Sequence, residues 1–189
     1  MKNFYLDKEQ YLSHKIPFIN NRILSYWILK GILNPINGNG KRKKLSFIEI
    51  NWLRIVHILR QSEISFDVIK ILQSQLFLPC PIINKGFSNV NKNVLFMYVA
   101  KIIKPVLKSI KTQNRIPSYF EVMLITSIVL NTPSFIYISF TQKVIFIFPE
   151  CIDQNLLHLD NSFNNRIVIC ISDQIKYFLS NDDFVKPFE

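Results

Sequence analysis

At 189 residues the chain is long enough for one sizeable core or two small ones. Apolar residues make up 49% and aromatic residues 13%, which excludes the disordered class. The net charge of +10 excludes an acidic protein, although Ile, Asn, Lys and Phe all abound and share A/T-rich codons, so part of the lysine excess comes from the genome.

Charge distribution separates selection from codon bias. Residues 1–115 hold 19 Lys and Arg against 5 Asp and Glu, whereas residues 116–189 hold 4 against 8. Codon usage does not segregate charge in this way. A basic part suited to a polyanion, either nucleic acid or an anionic membrane surface, is expected beside a mildly acidic part with another task.

In chain order, Asp7 is a candidate N-cap for a short helix over residues 8–15, with Tyr11 and Leu12 as apolar contacts and Pro17 ending it. A second helix is expected from Asn20, another N-cap residue, burying Ile23, Leu24, Trp27 and Ile28 at three-and-four spacing and closed by Gly31. Residues 36–40, Ile-Asn-Gly-Asn-Gly, read as a tight hairpin flanked by the basic run Lys41, Arg42, Lys43, Lys44. Ser46 with Glu49 three residues on forms a capping box for a third helix burying Ile50, Leu53, Ile55, Val56 and Leu59. A fourth follows over about 66–75, burying Val68, Ile69 and Leu72.

Leu78-Pro79-Cys80-Pro81 and the polar stretch to Asn93 read as a linker over residues 77–93. Residues 94–111 are helical in pattern, with Pro105 expected to kink the helix. Its stripe Lys101, Lys104, Lys108 and Lys111 is either a solvated face or a phosphate-tracking one. Beyond Pro117 a buried helix to about Leu130 is expected. Strands follow over about 135–140, 144–148 and 166–171, and a last short helix is capped by Asp173. The uncharged run Val122–Gln142 has the length of a membrane span, but Asn131, Thr132 and Pro133 interrupt it, so no membrane span is expected.

The segment Arg22-Ile23-Leu24-Ser25-Tyr26-Trp27-Ile28-Leu29-Lys30-Gly31-Ile32-Leu33-Asn34-Pro35 resembles the recognition helix and following turn of MerR-type regulators. The basic glycine-containing run at 40–44, the Ser46-capped helix and the helix after Ser65 continue the likeness in order. The resemblance covers about 55 residues and implies an N-terminal winged helix-turn-helix over 1–76. The fold class expected is thus α+β, with that head, a linker, and an α+β assembly or sensing module over 94–189. The resemblance implies that Asn21, Arg22, Ser25 and Tyr26 contact double-stranded DNA from the helix, and Lys41, Arg42, Lys43 and Lys44 from the wing. Arg and Tyr on the outward face of such a helix can reach phosphates and base edges in the major groove.

Three features depart from the family. Ser25 stands where Arg is usual, Phe18 where a Gly is usual near the bend, and Pro79, Pro81 and Pro105 preclude one long dimerisation helix. A homodimer would use other contacts and match a palindromic site.

Cys80, Cys151 and Cys170 form no close pair, and His14, His57 and His158 are scattered, so no metal site is expected. No phosphate-binding glycine loop, paired-acid motif or nucleophile turn stands out, and neither catalysis nor a cofactor is expected. With no charged-apolar-small leader, a reducing cytoplasm is the expected location. The leading expectation is a sequence-specific DNA-binding protein, a MerR-like transcription regulator. The alternatives are an interaction module docking on a protein or membrane, and an architectural recombination or plasmid-maintenance factor.

Overall fold

A computed structural model of the chain describes residues 11–12, 16–33, 44–79, 117–129, 131, 133–139, 144–147 and 166–180. The described elements mix helices and strands in an α+β arrangement. The expected linker beyond residue 79, the helix over 94–111, the tight turn at 36–40 and Cys80 and Cys151 lie outside these residues.

The first described element is a two-residue strand, β1 (Tyr11–Leu12), where a helix over 8–15 was expected. β1 pairs antiparallel with β2 (Lys44–Leu45), placing Tyr11 opposite Leu45 and Leu12 opposite Lys44. The physical reason is that an isolated two-turn helix is below the length at which helices sustain themselves in water, whereas a strand partner satisfies the same backbone groups directly.

Helix α1 (Asn21–Leu29) lies between the two strands. Asn20 accepts the Ile23 N–H through its side-chain oxygen at 2.8 Å, as an N-cap should. At the other end the Gly31 N–H donates to the Ile28 carbonyl at 2.9 Å and the Ile32 N–H to the Trp27 carbonyl at 3.0 Å. These two bonds, with Gly31 at φ 74°, make a Schellman turn that satisfies carbonyls the helix leaves open.

Helix α2 (Phe47–Gln61) starts at the expected capping box: the Glu49 carboxylate accepts the Ser46 N–H at 2.7 Å, and Ser46 Oγ accepts the Glu49 N–H at 3.2 Å. Ile50, Leu53, Ile55, Val56 and Leu59 are buried as expected. Helix α3 (Phe66–Leu76) begins at Ser65 and buries Ile69, Leu72 and Leu76, while Val68 is only partly buried.

Helix α4 (Tyr119–Val129) is buried nearly all round, which its unbroken apolar run requires. Its polar residues are paired: the Thr126 hydroxyl donates to the Val122 carbonyl at 2.7 Å, and Ser127 to Ser134 Oγ at 2.8 Å. A second capping box, Ser118 with Glu121, starts it with bonds of 2.8 and 3.3 Å.

Strands β3 (Phe135–Ser139), β4 (Val144–Ile147) and β5 (Arg166–Cys170) form an antiparallel sheet in the order β4-β3-β5. Ile136 and Ile138 share one face by the two-residue period and are buried, with Ile169 opposite Ile136. Helix α5 (Ile171–Leu179) follows β5 without a break. Cys170, rather than Asp173, is its N-cap residue. Asp173 lies in the first turn, where a carboxylate is favoured by the exposed N–H groups.

Among the described residues one apolar core runs through the five helices and the three-stranded sheet. The Trp52 ring meets Phe77 at 5.7 Å and Phe120 at 6.3 Å, joining α2, the end of α3 and α4. The Tyr119 N–H donates to the Leu78 carbonyl at 3.1 Å, beside a β-bridge between Pro79 and Ser118.

Candidate nucleic-acid interface

Helix α1 carries four of the eight expected DNA contacts, and its inner face explains their placement. Leu24 and Trp27 are buried and Ile28 is half-buried, so the axis is pinned to the core along one side. Asn21, Arg22, Ser25 and Tyr26 stand exposed on the rest of the helix. Arg22, Ser25 and Tyr26 fall at i, i+3 and i+4 and are therefore neighbours on the surface.

The end of α1 is fixed with equal care. The Ile32 carbonyl accepts two side-chain donors, Trp52 Nε1 at 2.9 Å and Gln73 Nε2 at 3.0 Å. One backbone oxygen thus ties the turn after α1 to both α2 and α3. A buried acceptor held by two donors resists displacement, because freeing it would leave all three groups unsatisfied.

Tyr26 is oriented by aromatic contact as well as exposed. Its ring meets Phe66, at the start of α3, edge-on at 5.7 Å, and the Lys30 ammonium lies 5.5 Å from its centroid. The Arg60 guanidinium covers Phe66 in turn at 4.6 Å and donates to the Ile64 carbonyl. No acidic residue lies in α1. Helix α1 is thus cationic and aromatic with no carboxylate of its own, while the exposed Glu63 and Asp67 lie near Phe66 in sequence.

The turn leading into α1 rests on the far end of the chain. Phe18 stacks against the Arg54 guanidinium at 5.1 Å, which also lies 4.3 Å from the Tyr177 ring and donates to Gln174 at 3.3 Å. Phe18 also meets Phe178 edge-on at 6.0 Å and His57 at 5.5 Å. Burial, and then the charge of Arg54, lower the His57 pKa below its ordinary value, so its ring is neutral near pH 7. Burial raises the Cys170 thiol, which keeps it protonated at that pH.

Of the remaining expected contacts, Lys41, Arg42 and Lys43 lie outside the described residues, and Lys44 is in β2, paired with Leu12. The structure corrects the helix face itself. Ile23, expected in the core, is 40% exposed, because Leu24 and Trp27 set the inward direction and Ile23 falls to the side. Leu29 is exposed too, and together with Lys30 and Phe66 it joins the surroundings of Tyr26. A helical projection centred on Leu24 and Trp27 would have found Leu29, whereas Phe66 needed the tertiary fold.

Among the described residues no group of three or more His, Cys, Asp or Glu could hold a metal ion, and no helix is long and apolar enough to cross a membrane. Comparison of the chain with protein-family models, curated proteins and solved structures finds no match to any of them.

Proposed function

We propose that the chain is a sequence-specific DNA-binding protein, a MerR-like transcription regulator in which α1 enters the major groove as the recognition helix. One observation carries this reading. Asn21, Arg22, Ser25 and Tyr26 are all exposed on a helix whose opposite side and C-terminal turn are locked into the core. Such a helix offers donors for phosphates and base edges on a preorganised backbone, so that only their side chains are ordered on binding.

Element order supports the same reading. β1 and β2 bracket α1 in sequence, and the basic run Lys41, Arg42, Lys43 leads directly into β2, where a wing would grip the neighbouring backbone. Arg22 is the candidate base or phosphate contact; Ser25 donates a neutral hydrogen bond, weaker than a guanidinium would supply. The chain acts as a homodimer on an inverted repeat, in the cytoplasm, and its C-terminal elements serve assembly or sensing.

The test is selection from random duplex DNA by the full chain at two salt concentrations, with Arg22→Ala and the triple variant Lys41→Ala/Arg42→Ala/Lys43→Ala alongside. An enriched consensus that weakens with salt is expected. Arg22→Ala should cost about 1 to 3 kcal/mol and relax one position if it reads a base, whereas the triple variant should weaken all sequences alike. No enrichment, with wild-type behaviour of both variants, would replace this reading by protein or membrane docking.

A further inference from the structure

The outward side of α1 is more apolar than phosphate binding requires. Leu29 is 83% exposed, Tyr26 47% and Ile23 40%, and their three-residue spacing makes them one stripe along the helix. Arg22 and Lys30 flank the stripe, and α1 holds no acidic residue. Phosphates and water give Ile and Leu side chains nothing to bury against. The major groove offers one apolar group to a helix lying in it, the C5-methyl of thymine.

We propose that Ile23 and Leu29 read thymine methyl groups, so that the site chosen by α1 requires thymine at two positions. The inference rests on the DNA-binding reading above and adds the base it prefers. Six residues of helix rise about 9 Å, and base pairs stack at about 3.4 Å per step. The two thymines therefore lie about two to three base pairs apart. Tyr26, between them and held against Phe66, fixes the depth at which the stripe enters the groove. The cationic flanks favour this occupant over the apolar face of a protein, which would leave Arg22 and Lys30 without counter-charge.

The consensus recovered by random selection is resynthesised with deoxyuridine replacing thymine at one position at a time, and the affinity of the full chain is measured for each duplex. Wild type should lose about fourfold at each of two positions, the factor expected for burying one methyl group. Ile23→Ala and Leu29→Ala should each abolish the response at one of them while leaving the other. Both side chains are exposed, and the uracil series on wild type needs no variant at all. A consensus indifferent to uracil everywhere overturns this inference and leaves the DNA reading standing. Failure to recover any consensus overturns both and assigns the stripe to a protein partner.

Discussion

Gly31 and Glu63 occupy the same place in two copies of one turn. After α2 the Glu63 N–H donates to the Arg60 carbonyl at 3.1 Å and the Ile64 N–H to the Leu59 carbonyl at 3.0 Å, the pairing already seen at the end of α1. Both turns need a left-handed residue, with φ 74° at Gly31 and 62° at Glu63. A side chain there crowds its own backbone. Nothing lies within 4 Å of the position a Cβ would take on Gly31, so the cost of Gly31→Ala is conformational alone, about 1 kcal/mol. The opposite substitution, Glu63→Gly, relieves the same strain and should stabilise by up to about 1 kcal/mol, offset in part by the freer unfolded chain. Urea denaturation of both variants checks this: midpoints moving in the same direction would refute the account. Gly31 announces its turn in the sequence, because glycine is the usual residue there. Glu63 does not, since the turn is imposed by Ile64 packing back on the core.

Three of the described helices begin on a serine, and the surroundings of each cap rank its contribution. Ser46 and Ser118 are buried and each belongs to a reciprocal box with a Glu three residues on. Ser65 is exposed, and the Val68 N–H reaches its hydroxyl at 3.4 Å. Ser46→Ala and Ser118→Ala should each cost about 1 to 2 kcal/mol, and Ser65→Ala under about 1 kcal/mol. Thermal unfolding of the three single variants gives the ranking directly. Legibility at this scale follows locality. The Ser46 box and the Asn20 cap are readable because both partners lie within four residues. Ser118 and Glu121 carry the same signal and could have been read in the same way. Tyr11 and Leu12 could not, because their strand partner is more than 30 residues away. The outward side of α1 is intermediate: Arg22, Ser25 and Tyr26 follow from the buried positions of Leu24 and Trp27. Ile23 and Leu29 are apolar, and a hydrophobic pattern assigns such residues to the core by default.

Composition divides the chain into a basic and an acidic half, yet packing joins them. Trp52 and Phe77 meet Phe120, while Arg54 bridges Phe18 and Tyr177, so α4 and α5 complete the core on which α1 and α2 rest. Charge reads the exposed surface and is silent about the buried one, where Trp, Phe and Ile from both halves are interchangeable as core material. A shared core makes unfolding cooperative. Both tryptophans, Trp27 and Trp52, lie in the N-terminal half, Trp52 at its contact with Phe120, so their fluorescence reports that half and its junction with α4, whereas far-UV circular dichroism reports all elements. Ile169→Ala removes a buried side chain from the sheet in the other half and should cost about 2 to 5 kcal/mol. If the halves fold as one, tryptophan fluorescence and circular dichroism shift together to the same lower midpoint. If fluorescence holds its wild-type midpoint while part of the dichroism melts early, the halves are separable domains. In that case α5 cannot be what steadies Phe18 and the turn into α1. Cooperative loss would instead mean that the packing of Phe18 against Arg54 and Phe178 belongs to one folding unit with the sheet.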